Sequence, residues 1–250
     1  MGSVVVDRPA DGVARVTIEN AAKRNALDAD ILDGLVRELP GLDARCVVLT
    51  GAGGAFSAGY DIGNLTPERL ADVLIHPFEA ALAALDGVPV PVIAAVGGHA
   101  FGGGLELALA CDLRVCAPGA KLGMPPAKLG VVYSHTGLRR FVDAIGSSRT
   151  RELFFTARPV DATEALSWGL VNEVTDDVEA RSVELALSIA ELAPMAQRGN
   201  KRVLQALVPP LDSALEAELE ALRREAFASD DFAEGVRAFV EKRAPHWSGR

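Results

Sequence analysis

Three consecutive glycines precede a glutamate inside an otherwise apolar segment that is typical of a helix. The run from Pro91 to Val115 reads PVIAAVGGHAFGGGLELALACDLRV. Glycine lets backbone approach a ligand closely, and the first turn of a helix offers unpaired N–H groups at its positive end. Because Glu106 lies three residues after Gly103, its carboxyl group leans back toward the Gly103 amide. The pattern predicts a site for developing negative charge, although a glutamate that only complements the helix dipole fits it as well.

A second strand also ends in a glycine-rich turn. Cys46 to Thr50, CVVLT, is typical of a buried strand, and GAGGAFSAGYDIGNL follows it. A dinucleotide-binding turn would need G-x-G-x-x-G, but the frame that begins at Gly51 has Phe56 at the sixth position. The turn therefore argues against a dinucleotide-binding fold.

The two strand-to-turn junctions together resemble the crotonase (enoyl-CoA hydratase/isomerase) superfamily. The resemblance covers nearly the whole chain, including AAKRNALD near the start, SRTRELFFTARPVDATEALSWGLVNEV, and SDDFAEGVRAFVEKR near the end. It implies an oxyanion hole for a CoA thioester carbonyl, formed by the backbone amides of Tyr60 and Gly103. It also implies that Glu106 is the catalytic acid/base, and the apolar flanks of Glu106 predict a raised pKa for its carboxyl.

The same resemblance implies where coenzyme A binds. Its nucleotide end is expected near the AAKRNALD segment and the SAGYDI turn, at Lys23, Arg24, Ala58, Asp61 and Ile62. Phe239 and Lys242 of AFVEKR are expected to reach the CoA of a neighbouring subunit, as in related trimers. Read without the resemblance, charged residues on a polar turn are ordinary solvated side chains.

One position departs from the hydratases of this superfamily. They carry a second glutamate twenty residues after the first, and this chain has Pro126 there. A proline cannot act as acid, base or water ligand. Tyr133 falls where methylmalonyl-CoA decarboxylases of the superfamily have an active-site tyrosine, although those enzymes can carry histidine where this chain has Tyr60. Decarboxylation needs an oxyanion hole for the enolate and no base to remove a proton.

Three functions remain open on the sequence. The favoured one is an acyl-CoA lyase that decarboxylates a short alkylmalonyl-CoA such as methylmalonyl-CoA. The second is an enoyl-CoA hydratase or isomerase, and the third is an acyl-CoA binding protein without activity. Glu106 argues against the third, because binding alone does not require a buried acid.

Composition narrows the class of protein. The chain has 250 residues, 49% hydrophobic residues and a formal net charge of −9, which argues against nucleic acid as a partner. No apolar run is long enough to span a bilayer and no secretory signal is apparent, so we expect a cytoplasmic protein without membrane contact. The scattered histidines and three cysteines show no ligand spacing, so no metal is expected. Coenzyme A is part of the substrate, and no separate cofactor is expected.

The order of elements predicts an α/β fold. The resemblance implies a crotonase-like spiral of ββα units over residues 1–190, followed by a C-terminal helical oligomerisation region over 191–250. From about Val178 every segment is typical of helix. The resemblance implies that these helices form a homotrimer or a dimer of trimers. An apolar stripe in this region also fits intramolecular core, and it consists of Leu211, Leu215, Leu219 and Leu222.

Overall fold

A computed structural model describes residues 2–61, 67–207 and 211–249, with backbone alone for 67–76. Within these ranges no helix has the length and apolar character that crossing a membrane requires.

The main sheet has the order β1-β2-β3-β4-β6-β9. Its strands are β1 (Ser3–Ala10), β2 (Val13–Glu19), β3 (Cys46–Gly51), β4 (Val92–Val96), β6 (Leu113–Cys116) and β9 (Glu173–Val174). Strands β1 and β2 pair antiparallel, and each later neighbour pairs parallel. Because parallel strands point the same way, the carboxyl ends of β3 and β4 lie at one edge of the sheet, where both glycine-rich turns begin.

A smaller sheet lies beyond that edge. It has the order β5-β7-β8, with β5 (Ala100–Phe101), β7 (Lys121–Gly123) and β8 (Val160–Asp161). Strand β5 belongs to the segment between β4 and the glycine run. Its pairing with β7 fixes the backbone that enters the site.

Helices cover both faces of the main sheet. They are α1 (Ala29–Glu38), α2 (Pro67–Asp86), α3 (Gly103–Ala110), α4 (His135–Thr156), α5 (Ala162–Trp168), α6 (Val178–Ala190), α7 (Pro194–Ala206), α8 (Ser213–Phe227) and α9 (Asp230–Glu241). Alternate strand residues such as Val47 and Leu49 join the larger core with α1 to α4. Their neighbours Cys46 and Val48 face the other way and pack against α6. Two-sided burial explains why these strands are almost wholly apolar.

Most elements lie where the sequence predicts them. The apolar run Val92–Val96 predicts a buried strand, and β4 has those bounds. The Asp28 side chain caps α1 by accepting from the Ile31 amide. The sequence pattern predicts two helices, beginning near Thr136 and Ser147, and in the structure they form one span, α4, interrupted at Gly146 (φ 72°). The sequence also predicts a strand over residues 170–174, but β9 is shorter, because only Glu173 and Val174 pair with β6.

The C-terminal helices fall into two groups by their contacts. The Lys201 ammonium fastens helix α7 to the segments that lead into β4 and β6, because it donates to Asp112 Oδ2 (2.7 Å) and to the Val90 carbonyl (3.0 Å). Helices α8 and α9 pack beside α2 near the glycine-rich turns. In the single chain the α8 residues Leu215 and Leu222 are exposed, so they are not intramolecular core.

Candidate active site

The two glycine-rich junctions lie side by side. The Phe101 amide donates to the Ser57 carbonyl (3.0 Å), and the Phe56 amide donates to the His99 carbonyl (3.0 Å). Ser57 and Ala100 form an isolated parallel bridge. The backbone after β3 therefore runs directly beside the backbone that leads into α3.

Two glycines permit this close approach. Gly59 has φ +85°, and a Cβ there would lie 2.7 Å from the Phe101 carbonyl oxygen. A Cβ on Gly104 would lie 2.6 Å from the Cβ and from the carbonyl oxygen of Ser57. Any larger residue at either position would push the two junctions apart.

The predicted oxyanion donors follow from this packing. Gly103 is the first residue of α3, so its N–H has no acceptor within the helix. Tyr60 comes immediately after Gly59, and its ring lies against Gly103, where a Cβ would be 3.1 Å from Tyr60 Cε2. Both residues line the same cavity. The structure thus places the two predicted donors together, and their role as an oxyanion hole stays a prediction.

Glu106 and Tyr133 form the polar centre of the site. Glu106 is 1% exposed, on the first turn of α3, and its Oε2 accepts a hydrogen bond from the Tyr133 hydroxyl. The other oxygen, Oε1, is buried and has no hydrogen-bond partner among the described residues. Tyr133 precedes Ser134, which caps α4 by accepting from the Gly137 amide (3.1 Å). The start of α4 therefore fixes the position of the phenol.

Burial raises the pKa of the Glu106 carboxyl above its ordinary value. The Tyr133 hydrogen bond and the charges of Arg140 and Arg223 oppose that shift, but desolvation has the largest effect. Burial likewise raises the pKa of Tyr133 well above that of a free phenol, with the Glu106 charge adding to it. The phenol therefore stays protonated, and the carboxyl retains its proton to a higher pH than an exposed glutamate.

These groups face a largely apolar cavity of about 140 Å³. Its apolar wall includes Phe78, Leu82, Leu129, Phe227, Phe232 and Val236. The side chains come from α2, α8, α9 and the loop before α4. The small size and apolar wall of this cavity suit a short acyl chain. A bound acyl chain would also keep water away from the Glu106 carboxyl and the backbone amides.

Pro126 lines this cavity, at the position where the hydratases carry their second glutamate. A second carboxylate nevertheless reaches the cavity wall from elsewhere. Glu79 of α2 lies there, and its Oε1 accepts from Nη1 of Arg223 on α8 (2.6 Å). Sequence analysis did not identify this pair. Acidic and basic residues on amphipathic helices are usually solvated, so neither had a local signal.

Asn25 of the AAKRNALD segment is a further residue that sequence analysis missed. Its side chain is fully buried and donates to the carbonyls of Ala52 (2.7 Å) and Ala55 (2.8 Å). Its own carbonyl accepts from the Ser57 hydroxyl (2.8 Å). Asn25 has φ +56°, a conformation that asparagine tolerates better than most residues, and this was the available signal. Asn25 thus joins the AAKRNALD segment to the glycine-rich turn after β3.

The residues assigned to coenzyme A are only partly brought together. Lys23 pairs with Asp61, and the Ala58 amide donates to the Arg24 carbonyl (2.9 Å). Ala58 also lines the cavity, whereas Ile62 lies outside the described residues. Their roles in CoA binding stay predictions.

The two C-terminal residues differ in position. Phe239 lines the cavity of its own chain, where α9 places it. Lys242 ends α9 in the left-handed conformation, and its amide donates to the Ala238 and Phe239 carbonyls. The sequence-based assignment of both residues to a neighbour's CoA stays a prediction.

Comparison with known proteins agrees with this geometry. A family model described as enoyl-CoA hydratase/isomerase matches residues 8–250. The chain therefore belongs to the enoyl-CoA hydratase/isomerase family, and the expected α/β crotonase-like fold is confirmed.

Among the similar proteins, two activities are named. The probable enoyl-CoA hydratase echA8 of Mycobacterium tuberculosis is 35% identical over 257 residues, covering 99% of this chain and 98% of its own length. A methylmalonyl-CoA decarboxylase solved with 2-nitronate-propionyl-CoA has a TM-score of 0.90 at 30% identity, with 99% of both chains covered. An enoyl-CoA hydratase from Bacillus anthracis has a TM-score of 0.77 at 31% identity, covering 99% of this chain and 100% of its own.

Proposed function

We propose that this acyl-CoA enzyme decarboxylates a short alkylmalonyl-CoA such as methylmalonyl-CoA. The observation that carries the proposal is the pairing of Glu106 with Tyr133 in a cavity that Pro126 also lines. The hydration mechanism of the family uses two carboxylates, and Pro126 removes one of them from its usual place.

The chemistry follows from the groups present. The thioester oxygen would accept hydrogen bonds from the Tyr60 and Gly103 amides, which stabilise negative charge as it develops. The bond between the α-carbon and the carboxylate breaks, CO₂ leaves, and the bonding pair forms the thioester enolate. A proton from the Glu106 carboxyl then forms the new C–H bond, and water restores the acid. The raised pKa of Glu106 keeps that proton available.

Structural similarity supports the same choice. The methylmalonyl-CoA decarboxylase has a higher TM-score with this chain, 0.90, than the Bacillus anthracis hydratase, 0.77. The two differ little in sequence identity, at 30% and 31%. The overall backbone similarity therefore separates these two neighbours, whereas sequence identity does not.

Enoyl-CoA hydration is the second candidate. Two observations favour it: sequence relatives are named enoyl-CoA hydratase, and Glu79 supplies another carboxylate to the cavity. Hydration would require Glu106 and Glu79 to hold one water between them. The hydrogen bond from Arg223 to Glu79 opposes this, because it already engages the Glu79 carboxylate. An acyl-CoA binding protein without activity is the third candidate.

Parallel incubation with methylmalonyl-CoA and crotonyl-CoA tests all three. CO₂ release is measured for the first substrate, and loss of the enoyl absorbance for the second. The proposal predicts CO₂ release that Glu106→Gln strongly reduces. Rapid hydration without CO₂ would establish the second candidate, and no turnover of either thioester would leave the third.

We further propose that the protein works as a homotrimer or dimer of trimers and uses no separate cofactor. The exposed apolar side chains of α7 and α8 support association.

A further inference from the structure

Arg223 presents a buried cation to the cavity. Its side chain is 9% exposed, although most other residues of α8 are exposed to solvent. Within the described part of the chain, its guanidinium makes one hydrogen bond, from Nη1 to Glu79. Its Nε is buried and has no hydrogen-bond partner among those same residues. A guanidinium has five N–H donors, and buried donors are rarely left unpaired, so this one has capacity for a further acceptor.

The counter-ion of Arg223 is much more exposed than Arg223 itself. The Glu79 side chain is 43% exposed, and the second nearby carboxylate, Glu220, is 28% exposed and lies 3.9 Å away. Glu79 could return to water at little cost, whereas Arg223 would remain desolvated and would need another anion. The pair therefore behaves as a cation with a displaceable carboxylate.

The position of Arg223 ties it to the reacting end of the cavity. It lines the same cavity as Glu106 and Tyr133, and its guanidinium lies 5.9 Å from the centre of the Phe227 ring. Its charge opposes the rise in pKa of Glu106, Tyr60 and Tyr133 alike. An acyl group seated against the predicted oxyanion donors would thus lie within electrostatic reach of this cation.

We propose that Arg223 is a specificity-determining residue that binds a carboxylate on the acyl group, with Glu79 as the counter-ion that the substrate displaces. The identity of that carboxylate as the one lost as CO₂ rests on the proposed function. Arginine suits the task because its planar fork matches a carboxylate. Since the contact stabilises the charged ground state, it contributes to substrate binding and not to bond cleavage.

Two CoA thioethers test this without turnover, because they lack the thioester carbonyl. Calorimetric titration compares 2-carboxypropyl-CoA with propyl-CoA, which differ by the carboxylate alone. Wild type is expected to bind the carboxylated thioether more tightly. Arg223→Gln should reduce that preference by roughly tenfold or more, the size of one charge-assisted hydrogen bond, with propyl-CoA as the internal control. Arg223→Lys should retain part of the preference.

Glu79→Gln provides a test of opposite sign. It removes the competing anion but keeps a hydrogen-bonding side chain of equal size, so the affinity for 2-carboxypropyl-CoA should increase. If the ion pair only fastens α8 to α2, both Arg223→Gln and Glu79→Gln will weaken the two thioethers in parallel. That result, or equal binding of both thioethers by wild type, would overturn the inference.

The outcomes separate this inference from the proposed function. A carboxylate preference that depends on Arg223, without CO₂ release from methylmalonyl-CoA, overturns decarboxylation and leaves the recognition site standing. CO₂ release without any carboxylate preference overturns the role of Arg223 alone. Thermal unfolding of each variant confirms folding, and Glu79→Gln decides the matter if Arg223→Gln does not fold.

Discussion

Tyr133 donates its hydroxyl hydrogen to one oxygen of Glu106, and the other oxygen of that carboxyl is buried without a partner among the described residues. This relationship divides the carboxyl into a fixed side and a side available for chemistry. A protonated Glu106 would carry its hydrogen on the unpartnered oxygen. The phenol, in turn, is already occupied and does not approach a substrate independently.

Replacement of Glu106 by glutamine should lower CO₂ release substantially and leave CoA thioester binding intact. Glutamine keeps the size of the side chain but cannot deliver the proton. Single-turnover kinetics together with calorimetry measures the two effects separately. Unchanged turnover would reduce Glu106 to a residue that complements the helix dipole.

The pH dependence of the Glu106 variant gives a second measurement. Because its folded pKa is raised, the stability that Glu106 contributes is present below its ordinary pKa of about 4.3 and is lost as the pH rises through the raised value. Activity that needs the acid form should fall over the same range. Glutamine cannot ionise, so in Glu106→Gln both the stability and the residual activity should lose this pH dependence.

Tyr133→Phe should reduce CO₂ release by about 30- to 160-fold, as expected for about 2 to 3 kcal/mol from one hydrogen bond to a charged group. Its pH profile should also move. The Tyr133 hydrogen bond lowers the pKa of Glu106, so its removal should raise that pKa and shift the falling limb to higher pH. A change in rate without this shift would mean that Tyr133 acts on the substrate and not through Glu106.

Pro126→Glu should impair decarboxylation, because a carboxylate in the cavity repels the substrate anion. Pro126→Gln is the matched control, since it changes the loop in the same way without the charge. A hydratase would respond in the opposite direction, with neutral or improved hydration of crotonyl-CoA. Equal losses in both variants would assign the effect to the loop.

Binding should require coenzyme A. We expect methylmalonyl-CoA to bind and free methylmalonate not to bind comparably, and Lys23→Ala to weaken the CoA ester. Lys121, a lysine with a half-exposed side chain on β7, provides the control as Lys121→Ala. Calorimetry measures the affinities. Equal affinity for the free acid and its CoA ester would show that this protein does not bind coenzyme A in the way the family does.

Light scattering should report a trimer or hexamer. In the single chain Met195 is 82%, Leu204 66% and Leu207 70% exposed, which is unfavourable for apolar side chains unless another surface covers them. Leu204→Glu should shift the protein toward monomer. A wild-type monomer at micromolar concentration would contradict this prediction and remove the assignment of Phe239 and Lys242 to a neighbour's CoA.

The segment from β4 to α3 could be predicted because its sequence signals are local. The apolar run of β4, the glycines and Glu106 occupy consecutive positions, and α3 follows from them. The small sheet could not be predicted in this way. Strands β5 and β8 have two residues each, too few to show any alternation.

Other parts of the site depend on contacts between distant segments. Glu79 and Arg223 are 144 residues apart, and each resembles the charged face of an ordinary helix. Nothing in either helix alone indicates that α8 folds over α2. The placement of Phe239 at its own cavity has the same cause, because it depends on how α9 packs.

The hydrogen bonds between the AAKRNALD segment and the SAGYD turn have a mechanical consequence. The Leu27 amide donates to the Gly59 carbonyl (2.7 Å), and its carbonyl accepts from the Asp61 amide (3.1 Å). Tyr60 is therefore held from both sides by the strip of chain that carries Lys23. A contact between the ligand and Lys23 would therefore affect the position of the Tyr60 amide through these hydrogen bonds. If Lys23 binds the nucleotide end of coenzyme A as predicted, binding energy gained there would help to fix the Tyr60 amide at the reacting carbonyl.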